Sequence, residues 1–307
     1  MLNVGLFGYG RIGKIHFKNI IENPKFNLLA ICDKLDIEIS DIHITKDEND
    51  IINNESINAV IICSPTATHY NLIIDCLNKN KHVFVEKPLS LDVEEIKTCY
   101  NLARRKNLKL LVGYNRRFDN KILSLKNGIN NIGKVNYVLT ISRDYPYPTY
   151  EYLKISGGMF HDCAVHDIDY VNWILDELPN TVNVTASTTE KKSINNGNLD
   201  HINIIFTYPS NIICSMNLSR ISQSYDQRCE IYGNEGELRI TDYESDDKIS
   251  FPERYKQSYK EELNYFEKIV TYNLQNRITL EDNVNNHIIA EACVKSFEES
   301  KKINIVY

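Results

Sequence analysis

The sequence lacks most features that mark a secreted, membrane-spanning or zinc-dependent small fold. None of its eight cysteines belongs to a C-x-x-C pair, which argues against a zinc ribbon or a redox dithiol. No apolar run approaches the roughly 18 residues of a membrane span. The amino terminus enters an apolar pattern directly, without the cationic start of a secretory leader. Single cysteines scattered through apolar segments are typical of a reduced compartment, so we expect a cytoplasmic protein.

A basic excess is also missing. The chain of 307 residues contains 35 Lys+Arg against 41 Asp+Glu, a formal net charge of −6. Nucleic-acid binders usually carry a basic patch or stripe, so we expect neither a nucleic-acid nor a membrane partner. The apolar and charged fractions, 42% and 25%, are ordinary for a globular protein. At roughly 150 residues per domain the length predicts two domains.

The first 120 residues alternate short apolar strands with helical segments. This alternation predicts a parallel sheet with helices on both faces, which is a doubly wound α/β Rossmann domain. The predicted strands span 2–7, 26–32, 59–63, 82–85 and 108–112. The predicted helices span 11–23, 68–80 and 90–106, the last with Ser90 as its N-cap.

From about residue 134 the pattern changes to longer strands with turn signals between them. It predicts an α+β domain with a largely antiparallel open sheet. The predicted strands span 134–143, 181–190, 201–208, 211–220 and 227–232, and the predicted helices 160–175, 254–275 and 280–301. We therefore expect a first domain over 1–118 and a second over 119–307. The final strand, 304–307, could belong to either domain.

A glycine-rich turn follows the first predicted strand. Gly8, Gly10 and Gly13 fit G-x-G-x-x-G between a strand and a helix, the context in which this motif binds a dinucleotide. Asp33 ends the second strand, 20 residues after Gly13. A carboxylate there accepts hydrogen bonds from the ribose hydroxyls of NAD and repels a 2′-phosphate. We expect NAD rather than NADP, although the neighbouring Lys34 weakens that preference.

Polar residues follow the other predicted strands. Ser64-Pro65-Thr66, Glu86-Lys87-Pro88 and Gly113–Asp119 stand at strand ends, where ligands bind in folds of this class. A lysine at such a position can polarise a substrate oxygen beside the nicotinamide. The residues alone leave a surface ion pair between Lys87 and Glu86 equally open.

A second group of polar side chains lies in the helix predicted over 160–175. Asp162 and His166 are four residues apart, so a regular helix would place them on one face. Histidine suits general base work because its ordinary pKa lies near neutrality. A solvated Asp–His pair is the structural alternative. A metal held with His161 is a third reading, which we do not favour because zinc usually takes at least three protein ligands.

Several long motifs resemble a known family. Glu86-Lys87-Pro88 after a glycine-rich Rossmann turn is similar to the glucose–fructose oxidoreductase, inositol dehydrogenase and rhizopine catabolism family. Four further segments resemble its inositol 2-dehydrogenase branch: Gly113–Asp119, Ser142–Asp144, Glu151–Trp173 and Tyr225–Leu238. The resemblance extends from residue 2 to about residue 303.

The resemblance implies a role for each matching residue. Lys87 corresponds to the catalytic lysine, Asp162 to the carboxylate and His166 to the base. Substrate contacts are implied for Arg117, Asp144 and Tyr225, where a structural salt bridge or sheet packing remains the alternative. Cofactor contacts are expected at Gly8, Gly10, Arg11, Ile12, Gly13, Asp33, Ser64, Pro65, Thr66, His69, Glu86, Lys87 and Arg116.

The implied function is NAD-dependent oxidation of a secondary alcohol of a cyclitol, with myo-inositol oxidised to a keto-inositol as the leading candidate. One alternative is a dehydrogenase of another sugar or of a nucleotide-linked hexose, whose phosphates Arg220 or Arg228 could hold. Another is a non-catalytic sensor of NAD or sugar. The resemblance also implies a homo-oligomer, commonly a tetramer, and a small polyol as the binding partner.

Two segments are shorter than is usual in this family. Residues 34–58 leave room for about one helix, and Thr45-x-x-Glu48 reads as its capping box. Residues 241–252 form the other short segment. We expect the first shortening to affect cofactor affinity, and the second to affect substrate closure or subunit contacts.

Overall fold

The computed structural model describes residues 1–189, 199–242 and 249–307. Its first compact unit comprises Met1–Asn115 and Lys256–Val284, and its second comprises Arg116–Tyr255 and Asn285–Tyr307. The sequence instead predicts one boundary, after residue 118. The difference arises because 256–284 belongs to the first unit, which no local pattern reveals.

The sheet of the first unit has six parallel strands in the order β3-β2-β1-β4-β5-β6. Because β1 pairs with both β2 and β4, the strand order reverses there, as in a Rossmann fold. The predicted doubly wound sheet is confirmed. The strands are β1 Leu2–Phe7, β2 Phe26–Cys32, β3 His43–Thr45, β4 Ala59–Ile62, β5 His82–Glu86 and β6 Leu110–Gly113.

The helices of the first unit agree with the sequence to within a few residues. They are α1 Arg11–Ile21, α2 Asn49–Ile52, α3 Thr66–Asn78 and α4 Val93–Arg105. The predicted cap of α4 is wrong: Asp92, not Ser90, accepts the backbone N–H groups of Glu94 and Glu95. Ser90 caps nothing, since its hydroxyl accepts the N–H of Asp92 and donates to Glu95.

The short segment after β2 also differs from its prediction. It contains the edge strand β3 as well as the one-turn helix α2, where the sequence predicts a helix alone. Thr45 ends β3 and makes no capping box with Glu48, because its hydroxyl donates to the Asp50 carboxylate and accepts the Asp47 N–H. Glu48 precedes α2 without a side-chain cap.

The second unit is built on a seven-stranded sheet in the order β12-β11-β7-β10-β9-β8-β13. Every neighbouring pair is antiparallel except β7 with β10, so the largely antiparallel prediction is confirmed. The last strand pairs with β8 and therefore lies in this unit. The strands are β7 Val135–Arg143, β8 Thr181–Ser187, β9 His201–Thr207, β10 Ile213–Ser219, β11 Asp226–Gly233, β12 Glu237–Ile240 and β13 Ile303–Asn304.

Several helices accompany this sheet and close the chain. Those of the described residues are α5 Asn120–Gly128, α6 Tyr150–Ile155, α7 Val165–Leu175, α8 Phe251–Arg254, α9 Lys256–Thr271 and α10 Leu280–Glu298. Helix α9 belongs to the first unit, where it packs on α1. Next to that contact Asn23 donates to Asn264 over 2.9 Å, and Lys25 pairs with Glu267 over 3.0 Å.

Alternation along the strands places the core of the second unit on one face of its sheet. In β9 the side chains of Ile202, Ile204 and Phe206 are buried, while the intervening ones are at least partly exposed. The other face leaves Ile205 and Ile213 exposed. The homo-oligomer stays a prediction.

Two predicted features fall partly outside the described residues. These are the end of the strand predicted over 181–190 and half of the short segment 241–252. Among the helices that the structure describes, none is long and apolar enough to cross a membrane.

Candidate active site

The glycine turn between β1 and α1 has glycine at three positions with different surroundings. Gly8 has a φ of +87°, and a Cβ on it would lie 2.7 Å from the Ser64 backbone nitrogen. A Cβ on Gly13 would lie 2.1 Å from the carbonyl oxygen of Gly8, so only glycine lets α1 pack on this turn. A Cβ on Gly10 would meet nothing within 4 Å. That open side is where a pyrophosphate can approach the backbone.

The residues around this turn fit a dinucleotide. Helix α1 begins at Arg11 with no side-chain cap, so its first N–H groups point toward the open side of the turn. Arg11 is exposed and Ile12 half-buried. The half-buried Asp33 carboxylate accepts the N–H of Tyr9 over 2.6 Å and that of Leu35 over 2.8 Å. Asp33 is therefore held at the end of β2, where the ribose of NAD is expected.

The loop after β4 is tied to the loop after β5 by His69. This side chain is 1% exposed, with Nδ1 lying 2.9 Å from the Pro88 carbonyl oxygen and Nε2 2.8 Å from the Ser64 carbonyl oxygen. Burial lowers the pKa of His69, although the two carbonyls oppose that effect. His69 thus joins the two loops that are predicted to contact the cofactor. Pro65 and Thr66 stand at the start of α3.

Glu86 and Lys87 follow one another at the carboxyl end of β5 but have different surroundings. Glu86 is buried, and its Oε1 lies 2.6 Å from Nε2 of His16. Lys87 is half-buried and precedes a cis peptide bond to Pro88. The Glu86 carboxylate therefore has a buried partner in His16.

Asp162 is firmly oriented within the second unit. It lies in a wide π-helical turn, Phe160–Ala164, that leads into α7. The Tyr152 hydroxyl donates to its Oδ1 over 2.7 Å, and Nη2 of Arg220 donates to its Oδ2 over 2.9 Å. A guanidinium this close favours the ionised carboxylate. Asp162 can therefore act as a fixed negative charge and hydrogen-bond acceptor.

His166 lies in the first turn of α7 and is half-buried. The regular helix predicted over 160–175 is therefore wrong in its first turn, which is wider than an α-turn. Such turns often occur at functional sites. The neighbouring His161 places Nε2 2.7 Å from Oε1 of Glu291. His161 and Asp162 thus have separate partners, whereas the metal alternative requires both side chains to bind one ion.

The two arginines offered as phosphate contacts have carboxylate partners instead. Arg220 is fully buried against Asp162. Arg228 pairs with Asp226 over 2.7 Å. The pairing of Arg220 with Asp162 was not predicted from the sequence, because 58 residues separate the two and no motif joins them.

Arg116 and Arg117 are both buried in the second unit. Arg116 Nη1 lies 2.9 Å from Oδ2 of Asp167. Arg117 donates two hydrogen bonds to the Asp169 carboxylate, from Nε over 2.8 Å and from Nη2 over 2.6 Å. Asn286 donates to the same carboxylate over 2.8 Å. These contacts favour the structural alternative for Arg117, and the binding roles of both arginines stay predictions.

The two remaining substrate candidates differ in exposure. Tyr225 is buried, and its hydroxyl lies 3.1 Å from that of Tyr255 and 3.3 Å from Nη2 of Arg116. Burial raises the pKa of Tyr225, which keeps the phenol neutral. Asp144 is half-buried directly after β7 and accepts the N–H of Tyr145 over 2.9 Å. Asp144 is therefore more exposed than Tyr225, and the substrate contacts of both stay predictions.

The fold and the glycine turn define a class of protein, the dinucleotide-binding Rossmann proteins. Comparison with known families agrees: residues 2–114 match the oxidoreductase family with an NAD-binding Rossmann fold, and residues 129–239 match the GFO/IDH/MocA C-terminal domain. The chain belongs to the GFO/IDH/MocA family of oxidoreductases, and NAD is its cofactor. The resemblance in the motifs is thereby confirmed.

Individual relatives are similar over nearly the whole chain. The Myo-inositol 2-dehydrogenase of Thermotoga maritima is 31% identical over 99% of this chain and 98% of its own length. The Inositol 2-dehydrogenase of Rhizobium meliloti is 31% identical over 98% of both chains. A crystal structure of scyllo-inositol dehydrogenase from Lactobacillus casei with bound NAD(H) and scyllo-inositol superposes with a TM-score of 0.91, at 26% identity over 99% of each chain.

Proposed function

We propose that the protein oxidises one secondary alcohol of a cyclitol, with myo-inositol converted to a keto-inositol as the first candidate. One observation carries this proposal: a chain that matches a Myo-inositol 2-dehydrogenase over 99% of its length also holds Lys87, Asp162 and His166 at the motif positions. When bound, NAD supplies the hydride acceptor, and the protein supplies position, charge and proton transfer.

Each of the three residues has a distinct task in this reaction. His166 takes the proton of the reacting hydroxyl as general base. Lys87 donates a hydrogen bond to the same oxygen and stabilises the negative charge that develops on it. Asp162, held by Tyr152 and Arg220, orients the substrate or the imidazole through its fixed charge.

The site residues of the first unit divide into two groups. Gly8, Gly10 and Gly13 with the start of α1 receive the pyrophosphate, and Asp33 binds the ribose. The loops after β4 and β5, joined beneath by His69, are assigned to the nicotinamide end. We assign substrate binding and association into a homo-oligomer to the second unit, and a cytoplasmic location to the protein.

The structure favours a free polyol over a nucleotide-linked sugar. A nucleotide-linked substrate needs cationic groups for its phosphates, and Arg220 and Arg228 were the candidates for that task. Both pair with aspartates, over 2.9 and 2.7 Å. Their charge is therefore largely compensated.

The test is NADH formation with the purified protein, NAD and myo-inositol, alongside scyllo-inositol, glucose and NADP. We expect turnover with NAD and a cyclitol, and a drop of about 10²- to 10³-fold in kcat for Lys87→Met, because the developing oxyanion loses its charged donor. Lys79→Met removes an exposed lysine from the end of α3 and serves as the matched control. Full turnover by Lys87→Met would contradict the assignment.

A further inference from the structure

Three ionisable side chains meet in the interior of the first unit, behind the strand end that carries Lys87. His16 comes from α1, Glu86 from β5 and Glu262 from α9. The residue exposures are 0%, 9% and 0%. His16 Nε2 lies 2.6 Å from Oε1 of Glu86 and 3.9 Å from Oε1 of Glu262. We call these three residues the buried cluster.

Glu262 is the unusual member of the buried cluster. Both of its carboxylate oxygens are inaccessible, and neither has a hydrogen-bond partner in the described ranges 1–189, 199–242 and 249–307. Within the same ranges neither Glu86 nor Glu262 forms an ion pair with a lysine or an arginine. An isolated buried carboxylate is so unfavourable that the group keeps a proton instead.

Among the described residues, aromatic rings, a thiol and an imidazole pack around the buried cluster. The rings of Phe84 and Tyr259 stand edge-on to His16, with centroids 5.0 and 5.7 Å away. Burial, together with the charge of Glu86, raises the pKa of Cys63, so its thiol stays protonated. The buried His69 is a further titratable neighbour; burial lowers its pKa, and the charge of Glu86 opposes that effect.

Physical chemistry then fixes the charge state. With all three groups ionised the buried cluster would carry a net negative charge in an apolar interior, which costs several kcal/mol for each unpaired ion. One retained proton removes this cost. Burial, with the charge of Glu86, raises the pKa of Glu262 well above its ordinary value.

We propose that Glu262 holds a buried proton as a neutral carboxylic acid and that, with His16, it is a positioning residue that fixes Glu86 and so the strand end bearing Lys87. The part concerning Lys87 rests on the proposed function. Loss of the proton sets two carboxylates against each other around His16, which disturbs Glu86 and shifts the residue that follows it.

The first test measures stability, which does not depend on turnover. A folded-state pKa above the unfolded one contributes stability that is present at low pH and is lost as pH rises through the folded pKa. We expect wild type and Glu262→Gln to unfold at similar temperatures near pH 5, and the variant to be higher by about 2–4 °C near pH 9. Glu261→Gln, a less buried neighbour on α9, should follow wild type throughout.

Parallel unfolding curves for wild type and Glu262→Gln would overturn the proposal. So would a rise in wild-type unfolding temperature with Zn²⁺ that Glu262→Gln lacks, because a cation would then take the place of the proton. If the variant fails to fold, infrared spectroscopy of wild type decides. A carboxylic-acid carbonyl band near neutral pH that disappears on alkaline titration supports a buried proton, and its absence contradicts one.

The second test addresses positioning. We expect the alkaline decline of kcat to move to higher pH in Glu262→Gln, with the KM for NAD changed less than twofold. An unchanged pH profile would refute the positioning role even if the stability test succeeds. If no polyol is turned over by wild type, the proposed function fails, while the stability and infrared measurements still test the buried proton.

Discussion

Each of the two units contains buried carboxylates, and two sets of them have contrasting partners. In the second unit five buried aspartates each lie 2.6–2.9 Å from an arginine nitrogen. In the first unit Glu86 and Glu262 are buried with only His16 between them. The arginine-paired set is Asp119 with Arg254, Asp162 with Arg220, Asp167 with Arg116, Asp169 with Arg117 and Asp226 with Arg228.

This difference shows that burial alone does not decide whether a carboxylate is charged. A guanidinium supplies a permanent positive charge with paired donors, so its partner stays ionised inside the protein. Without such a partner the same chemical group retains a proton. The pH-sensitive group of this comparison is therefore Glu262, whose pKa burial raises well above its ordinary value.

Removing one arginine of the second unit gives the largest expected effect. Arg117→Met leaves Asp169 buried without a counterion, which we expect to lower the free energy of unfolding by about 3–5 kcal/mol. Urea denaturation of variant and wild type measures it. The double variant Arg117→Met/Asp169→Leu removes both charges and should recover much of the loss. A single-variant loss below about 1 kcal/mol, as at exposed pairs, would contradict the comparison.

A charge-conserving change should have a smaller effect. Arg254 bridges Asp119 and Asp242 through separate guanidinium nitrogens. A lysine keeps the charge but loses this fork, so we expect Arg254→Lys to lower the free energy of unfolding by about 1–2 kcal/mol. Arg239→Lys is the control, because that side chain is 55% exposed beside Glu237. Equal effects at the two arginines would show that buried geometry adds nothing.

An exposed pair should have the smallest effect. Lys97 and Glu94 lie 2.7 Å apart on α4, with side chains 45% and 78% exposed. Water screens this pair, so Lys97→Gln should change the free energy of unfolding by no more than about 0.5 kcal/mol. The change should shrink further in high salt. A cost comparable to that of Arg117→Met would remove the distinction between exposed and buried pairs.

Local signals account for the parts of the structure that were predicted correctly. The role of Gly8 and Gly13 could be predicted from the sequence, because the turn tolerates no Cβ at either position. The buried parallel strands of the first unit could be predicted because their apolar runs are continuous. Longer motifs suggested Lys87, Asp162 and His166, whose catalytic roles stay predictions.

Features that depend on distant neighbours were missed. Arg220 and Asp162 are 58 residues apart, and His16 and Glu86 are 70 apart. Strand β3 was not predicted, because three residues are too few to show the alternation of apolar and polar side chains that indicates a strand. Helix α9 follows the second unit in sequence yet packs in the first, since its partner surface on α1 exists only after folding.

The order of residues by itself determined most of the strands, the glycine turn and the family, because each depends on side chains close together along the chain. The tertiary structure alone decided which buried carboxylates meet an arginine and which lie with His16 in the buried cluster. That choice sets the charge of each group, because the strength of an electrostatic interaction depends on distance and burial in the folded chain.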